Sequence, residues 1–445
     1  MKLTKTPFLF FTLHSLVCIA QSYIGYDIDN YSGIQSILSN PGNLSDSRVR
    51  ADFNLFSISA MGANDYLGLS INNLKEFLNN NDFSGLTTAT SNENNLLLNI
   101  EILGPSFMFS LNETNSLALT TRIRALNNYN NLNGQLIESL SDGFDNENFN
   151  FELNNFDGTS HAWAEIGLSY GRVMYDDYNQ NYFKGGVTVK YLIGFGVAQA
   201  HSRNLSGNFS STTNQINLNG DFSYLKSEDD SQDDYNILKD HSPGFGTDIG
   251  FVYEYRTRNS GRENGRNNPR SINNYRLKIG ASLLDFGAIT YKNVELESYS
   301  LNSNLDANEA EEDIIDAIKN NFTSTNALGD VTVALPTSLR INLDYKFTNS
   351  IYLNLDVNQT LVKKENYFNN NRLNLISLTP RFERKKIGFY LPVSYSHLGK
   401  LGVGTGFKID PLTLGSGSIL TNLFSRNTQN ANIYLAIKTP IYHKN

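Results

Sequence analysis

The sequence predicts an all-β fold, a transmembrane antiparallel up-and-down β-barrel of about 14 strands, with roughly 12 to 16 allowed. Three observations predict it: an N-terminus typical of exported chains, repeated segments of about ten residues in which apolar and polar side chains alternate, and no run of the ~18 apolar residues that a spanning helix requires. The chain of 445 residues has 24 Tyr, 27 Phe and 61 Asn but only 18% charged residues. This composition is typical of aromatic-rich strands joined by polar loops.

The net charge excludes one class of partner. Lys and Arg number 36 and Asp and Glu number 44, so the formal charge is −8. Binding to a nucleic-acid backbone needs a basic surface, and we therefore expect no nucleic-acid partner. The mean hydropathy of −0.36 also argues against a helical membrane protein.

Residues 1–20 are predicted to be a secretory signal peptide. Lys2 and Lys5 form a basic start, an apolar core follows, and cleavage is expected after Ala20. A lipoprotein cysteine at Cys18 is the alternative, but Val17 stands where a small residue is usual. Cleavage after Ala20 leaves a mature chain without cysteine, so we expect neither a disulfide nor a thiolate site.

Residues 21–50 are predicted to form a hatch or plug that lies inside or across the lumen of the barrel. The stretch from Tyr23 to Tyr31 is too apolar for a free tail. Asn40, Pro41 and Gly42 then force a turn before the first strand. The barrel itself is expected to occupy residues 51–442.

Alternation is clearest between Ser338 and Phe347, where Leu339, Ile341 and Leu343 share one face. A soluble β-sandwich alternates in the same way. Strands of ten or more residues, aromatic side chains at strand ends and mixed charges on the polar faces favour a membrane barrel instead. The polar faces would then point into the lumen, where we expect a network of paired charges formed by Arg340, Asp344, Lys346, Asp356, Glu254 and Arg276.

The strand count rests on seventeen alternating windows, which begin near residues 51, 66, 98, 116, 161, 182, 205, 244, 275, 289, 337, 350, 372, 386, 399, 411 and 430. A single-chain bacterial barrel has an even number of strands, so at least one window must be wrong. The windows near 66 and 205 are the weakest, and we expect fourteen strands. No linker or change of composition divides the barrel, which indicates a single domain.

Polar insertions interrupt the strands at 127–160, 226–243 and 256–270. The first is rich in Asn, the second is acidic and the third is basic. We expect solvated loops. The alternative is that the acidic and basic runs pair with each other or bind a charged partner.

A fourth insertion is predicted to hold a helix over 306–322. Asp306 can cap it, and Ile314 and Ile318 mark an apolar face. Outer-membrane barrels have both termini in the periplasm, so counting strands back from the C-terminus places the connection 302–336 outside the cell. The helix would then cap the barrel mouth or fold into it.

Several segments together resemble a known family. They are SNPGNLSDSR (39–48) followed by DFNL (52–55), GFGTDIG (244–250) running into YEYR (253–256), LLDFG (283–287), LTPRFE (378–383), LPVSY (391–395), GVGTG (402–406) and GSG (415–417). From about residue 22 to 442 the chain resembles an uncharacterised outer-membrane β-barrel family of Bacteroidota, whose members occur alone or ahead of an OmpA-like peptidoglycan-binding domain. The resemblance implies a barrel in the outer membrane and supplies no activity.

More distantly, the Asn40-Pro41-Gly42 motif is similar to the one that precedes the first strand of FadL-type channels for hydrophobic compounds and of PorV-type secretion barrels. Alanine is usual where Gly42 stands. FadL-type proteins place this segment inside the barrel as a hatch, so the resemblance implies the same position here.

No motif for catalysis, a cofactor or a metal stands out. His161 and Glu165 are four residues apart on one strand face, and we expect polar lumen residues there rather than metal ligands. The glycine pairs at 244–246 and 402–406 precede no helix, so they are not nucleotide-binding loops. The sequence therefore predicts no cofactor, no metal site and no enzymatic activity.

Two functions of different classes remain open. The preferred one is a structural or assembly subunit of the cell envelope, with a plugged lumen and loops that bind another envelope protein, because a lumen with charges of both signs closes easily by pairing. The alternative is a FadL-like channel for uptake of a small hydrophobic compound, which the hatch motif favours. Outer-membrane lipid surrounds the barrel in both cases.

Overall fold

The computed structural model describes residues 23–68, 87–144, 147–177, 180–227, 241–256, 269–362, 368, 370–425 and 427–443. In this part of the chain, fourteen antiparallel strands follow one another round a barrel, and the first strand pairs with the last to close it. The predicted barrel of fourteen strands is confirmed.

The strands keep the order of the sequence, and five of them consist of two segments separated by a short break or a longer insertion. They are β1 (Val49–Asn64), β2 (Asn94–Leu103 and Ser106–Ser110), β3 (Asn115–Leu132), β4 (Phe149–Asp176), β5 (Asn181–Ser210), β6 (Gln215–Lys226 and Ser242–Arg256), β7 (Tyr275–Leu301), β8 (Ser324–Ala334 and Ser338–Lys346), β9 (Ile351–Thr360), β10 (Leu375–Glu383), β11 (Ile387–Tyr390 and Val393–Ser396), β12 (Lys400–Val403 and Thr405–Ile409), β13 (Leu412–Ser416) and β14 (Asn430–Tyr442). A separate pair joins Leu67–Gly68 to Thr87–Thr88, and Asn304–Asp306 pairs with the start of β6.

The described residues include four α-helices: α1 (Ile34–Ser39), α2 (Gly134–Asp142), α3 (Ala307–Asn321) and α4 (Ile419–Phe424). Single 3₁₀ turns lie at Pro41–Asn43 and Pro269–Ser271. Among these described helices, none is long and apolar enough to cross a membrane.

Three of the seventeen windows do not correspond to strands of their own. The window near 66 lies outside the barrel, the window near 205 continues β5, and the window near 289 continues β7. The first insertion is narrower than predicted, because β3 runs to Leu132 and β4 begins at Phe149, with α2 between them. The acidic and basic runs fall largely at 228–240 and 257–268, outside the described residues.

The barrel is apolar outside and polar inside. On β8, Leu339, Ile341 and Leu343 are 38%, 44% and 37% exposed, whereas Asp344 on the other face is completely buried. A soluble sheet protein would bury the leucines and expose the carboxylate, because burying apolar surface is favourable and burying charge is costly. The observed arrangement, with apolar side chains outside and charged ones inside, is typical of a barrel whose outer face contacts lipid.

One side of the barrel is much taller than the other. Strands β4, β5 and β7 have 28, 30 and 27 residues, against 10 in β9 and 5 in β13. A strand crosses a bilayer with about 9–11 residues. The long strands therefore continue beyond any membrane at the end opposite to the chain termini. We call this part, residues 129–144, 147–156, 200–224 and 299–322, the loop-end extension.

The loop-end extension has an apolar core of its own. Phe151, Phe209 and Phe222 from the strands pack with Ala310 and Ile318 of α3 and with side chains of α2. The helix predicted over 306–322 is thus present as α3, and the Asp306 carboxylate caps it by accepting a hydrogen bond from the amide of Asn308 at 2.9 Å.

The structure differs from the predicted lid over the barrel mouth. The Lys319 ammonium of α3 lies 3.0 Å from the Glu297 carboxylate and over the ring of Tyr224. The next residues along these strands, Leu225 and Leu296, point the other way, into an apolar cluster of the lumen. Helix α3 therefore covers the outer face of β6 and β7, because outward apolar side chains above the membrane need shielding from water.

The plugged lumen as the candidate functional site

Residues 23–48 lie inside the barrel and contact strands on opposite sides of it. The Gln35 amide donates to Asn54 Oδ1 of β1 at 3.1 Å, Ser282 Oγ of β7 donates to the Ser39 carbonyl oxygen at 2.8 Å, and the Lys438 ammonium of β14 donates to the Ser32 carbonyl oxygen at 2.6 Å. We call residues 23–48 the plug.

The Asn40-Pro41-Gly42 turn is built into the wall between β5 and β6. Asn40 Oδ1 accepts the amide of Gly42 at 2.8 Å and its Nδ2 donates to the Phe251 carbonyl oxygen at 3.1 Å. Gly186 and Gly250 face each other across these strands, and a Cβ atom on either one would overlap the turn. The wall glycines therefore make the room that the turn occupies.

Buried ion pairs tie the plug to the wall. Asp27 lies 2.7 Å from the Arg340 guanidinium of β8, and Asp29 lies 2.8 Å from the Lys408 ammonium of β12. Removing one partner of such a pair is costly, because it leaves a buried charge uncompensated. The position of the plug is therefore coupled to the charges of the lumen.

Apolar contacts hold another part of the plug. Ile34 and Ile37 of α1 and Leu44 pack against Leu103 and Met108 of β2. This side of the plug faces β1–β3. The side that faces β5–β8 is polar.

Four of the six predicted lumen charges form ion pairs on the inner face. Arg340 and Asp356, on neighbouring strands, lie 2.8 Å apart. Asp344 pairs with Arg381 at 2.6 Å, and Glu254 pairs with Lys184 at 3.2 Å and with Arg256 at 2.6 Å. The partners of Asp344 and Glu254 were not among the predicted residues.

The other two predicted charges behave differently. Arg276 is not in the lumen: its guanidinium lies on the outer face, over the ring of Tyr345. Opposite Tyr255 and Arg256 of β6, a β-bulge places one extra residue in β7 between Tyr275 and Leu277. The bulge turns Tyr275 inward and Arg276 outward. Lys346 stays on the inner side of β8, where its ammonium donates to the Asn273 carbonyl oxygen.

The largest group of lumen charges was missed by the sequence analysis. Asp285 accepts from Arg124 at 2.9 Å and from Lys190 at 2.6 Å, and it also contacts Arg372. We call the eight charges gathered here the central charge cluster: Glu101, Arg122, Arg124, Glu165, Lys190, Asp248, Asp285 and Arg372. The signal in the sequence was Arg122 and Arg124. They are separated by one residue on an alternating strand and therefore share a face.

An apolar layer lies on the loop side of the central charge cluster. It begins with the next inward-facing residue of each strand in the direction of the loop end. This residue is Trp163, next to Glu165, on β4 and Leu192, next to Lys190, on β5. We call it the apolar layer; its buried members are Leu126, Trp163, Leu192, Val197, Leu225, Ile289, Tyr291, Val294, Val333 and Leu335. Charge and apolar surface thus alternate along the axis of the lumen.

His161 forms the polar edge of the apolar layer. Its ring stacks on Trp163 with centroids 4.5 Å apart, its Nε2 lies 3.0 Å from the Tyr291 hydroxyl, and its Nδ1 lies 3.0 Å from the side-chain amide of Asn370. The Glu165 carboxylate forms ion pairs with Arg122 and Arg124 rather than facing His161 as a metal ligand. In the described part of the chain, no group of three or more His, Cys, Asp or Glu side chains is placed to hold a metal ion.

The family of unknown function DUF5723 matches residues 41–417 of this chain. The chain belongs to this family. The DUF5723 match runs from the plug turn at Pro41 through most of the barrel to the end of β13. The Bacteroidota origin that the resemblance implies stays a prediction. No curated protein matches the chain.

Solved structures that are similar to this DUF5723 chain are β-barrels of low sequence identity. The toluene transporter TodX of P. putida is 10% identical, with a TM-score of 0.48 over 93% of this chain and 95% of that one. A Pseudomonas aeruginosa FadL homologue is 10% identical, with a TM-score of 0.44 over 95% and 96%. The translocator domain of the autotransporter NalP from Neisseria meningitidis is 8% identical, with a TM-score of 0.34 over 88% of each chain. At these values the similarities carry no argument about function.

Proposed function

We propose that the protein is an outer-membrane channel through which a small hydrophobic compound is taken up, with the plug as its gate. The apolar outer face supports a position in outer-membrane lipid. The proposed role is transport rather than catalysis. It corresponds to the alternative of the two functions that the sequence left open.

The observation that carries the proposal is the apolar layer in the lumen. Barrel interiors that pass water and polar solutes are lined by polar side chains. Sites for small apolar molecules are lined mainly by apolar and aromatic side chains with a few polar groups that fix orientation. Trp163, Leu192 and Leu335 provide the apolar and aromatic lining, and His161 with Asn370 provides the polar groups.

The contacts of the plug support its role as a gate. Towards β5–β8, the plug is held by hydrogen bonds such as that of Ser282 to Ser39 and by the ion pair of Asp27 with Arg340. Water can replace the hydrogen bonds, whose net contribution is roughly 0.5–1.5 kcal/mol each, and when the plug moves away water solvates both charges of the ion pair, so neither stays buried without a partner. The plug is therefore displaceable on this side without unfolding a barrel strand.

An uptake assay with a covalent lock tests the proposal. Ser282 Oγ donates to the Ser39 carbonyl oxygen, so the two residues are neighbours and the double variant Ser39→Cys/Ser282→Cys places one thiol on the plug and one on the wall. We expect cells that make the wild-type protein to take up radiolabelled naphthalene several-fold faster than cells without it. The oxidised double variant should fall to the level of cells without the protein, and a reductant should restore uptake.

Each single cysteine variant is the matched control, since it changes one side chain without creating the lock. The barrel of every variant is checked by its heat-dependent gel mobility. Unchanged uptake with a fully formed disulfide would show that the plug does not gate the channel.

A structural or assembly subunit, whose loops bind another envelope protein, is the second candidate. The loop-end extension favours it, because strands of 28 and 30 residues and a separate apolar core exceed what a bilayer channel requires. Equal naphthalene uptake with and without a correctly folded barrel would favour this second function.

A further inference from the structure

In the described part of the chain, two polar cavities lie between the plug and the wall of the barrel. The first, about 40 Å³, is lined by Asp46, Lys184 and Glu254 among others. The second, about 30 Å³, lies nearer the loop end and is lined by Asp356 and Arg372 among others. A water needs roughly 10–15 Å³ of such volume, so the cavities have room for about three and about two waters.

The same three residues line both cavities: Asp27, Ile28 and Arg340. The Arg340 guanidinium reaches Asp27 Oδ2 of the plug at 2.7 Å through one nitrogen and Asp356 Oδ1 of the wall at 2.8 Å through another. This one guanidinium therefore connects plug to wall between the two cavities.

A column of buried polar atoms continues from this point along β9 and β10. Asn354, Asn358 and Thr379 face the lumen, and among the described residues their side-chain oxygens have no hydrogen-bond partner. The free carboxylate oxygen of Asp27 is buried without a partner as well. Buried polar groups of this kind are usually satisfied by water. This side of the lumen is thus polar, whereas the apolar layer belongs to β3–β8.

We propose that an aqueous path for small inorganic ions runs between the plug and β8–β10 and that Arg340, paired with Asp27, is its gate. This path is a second route, distinct from the one for a hydrophobic compound, because ions would follow it while the plug stays in place. The inference rests on the proposed function only in treating the barrel as a channel.

The charges that line the two cavities predict the ion selectivity. They comprise five carboxylates (Asp27, Asp29, Asp46, Glu254 and Asp356) and five cations (Arg48, Lys184, Lys278, Arg340 and Arg372). Replacing Arg340 by a neutral residue leaves an excess of one negative charge. Replacing Asp27 by Asn leaves an excess of one positive charge.

Ion currents through the full-length protein in planar lipid bilayers test the proposal, with KCl as the probe. We expect Arg340→Ser to raise the single-channel conductance several-fold and to shift the reversal potential towards cations. Asp27→Asn keeps the shape of the side chain and should shift the reversal potential in the opposite direction. A loosened structure alone would not produce shifts of opposite sign.

Lys438→Ser is the matched control. It also removes a buried cation that connects wall and plug, because the Lys438 ammonium donates to the Ser32 carbonyl oxygen and pairs with Asp52. Neither Lys438 nor Asp52 is among the residues that line either cavity, so the currents of this variant should remain at the wild-type level. Equal increases in Lys438→Ser and Arg340→Ser, or no increase in Arg340→Ser, would overturn the proposal.

A chemical rescue and the covalent lock complete the test. Since the only cysteine of the chain is Cys18, within the predicted signal peptide, Arg340→Cys carries a single thiol in the mature protein. A positively charged methanethiosulfonate should close the path again, and a negatively charged one should not. Arg340→Ser should still conduct in the oxidised Ser39→Cys/Ser282→Cys protein. Closure by the lock would mean that ions need plug displacement, and it would refute the separate path whatever the result for naphthalene.

Discussion

The plug lies inside the barrel and the loop-end extension lies beyond its membrane-spanning part, and different interactions hold the two regions. The extension has a core of phenylalanine and aliphatic side chains, such as Phe209 and Leu301, with two helices over it. The plug combines one apolar side, around Ile34, with a polar side of ion pairs and hydrogen bonds. Apolar packing excludes water and resists displacement, whereas buried polar contacts can be exchanged for water. From this comparison we expect the extension to stay fixed and the plug to be the part that moves.

The largest effect is expected from Phe209→Ala in the extension. Phe209 is 2% exposed and its ring lies 4.7 Å from that of Phe144. Removing a buried phenylalanine costs about 3–5 kcal/mol through lost transfer free energy and a cavity. Limited proteolysis of the protein in lipid vesicles should therefore cleave the extension much faster, without release of the membrane-embedded strands.

Phe245→Ala is the matched control for this experiment, because Phe245 is 68% exposed on the outer face of β6. Cleavage of the extension should not change in this variant. If Phe209→Ala left the cleavage rate unchanged too, the extension would not depend on its apolar core.

A smaller and more local effect is expected from Asp29→Asn in the plug. The carboxylate of Asp29 accepts from the Lys408 ammonium at 2.8 Å and from the Tyr390 hydroxyl. The amide keeps the shape but loses the charge, which we expect to cost about 1–3 kcal/mol. Hydrogen exchange should become faster at the amides of the plug and stay unchanged in the extension. Equal acceleration in both regions would contradict the independence of plug and extension.

The smallest effect on stability is expected from Asn320→Cys, at an exposed position of α3. A surface substitution of this kind changes stability by less than about 0.5 kcal/mol. This variant tests the orientation, because we expect both termini in the periplasm and the extension outside the cell. A membrane-impermeant maleimide should label this variant on intact cells. Labelling only after permeabilisation of the outer membrane would reverse the orientation.

The sequence by itself determined the fold class and the presence of α3, and it predicted fourteen strands although seventeen windows alternated. These features follow from local patterns. Alternation with period two marks strands whatever their partners, and a capping Asp306 before Ile314 and Ile318 marks an amphipathic helix. Lipid outside and polar groups inside then leave a closed barrel as the arrangement that satisfies every strand.

Only the tertiary structure decided which lumen charges meet. Arg276 points out of the barrel because a β-bulge changes which residues of β7 face inward. Asp285 pairs with cations from β3, β5 and the segment before β10. Such contacts depend on register and on strands far apart in sequence, and a shift of one residue sends a side chain to the opposite face. The tertiary structure also decided which face of the sheet α3 covers. The apolar stripe of α3 could pack on either face, and it packs on the outer one because apolar side chains of β6 and β7 point outward there.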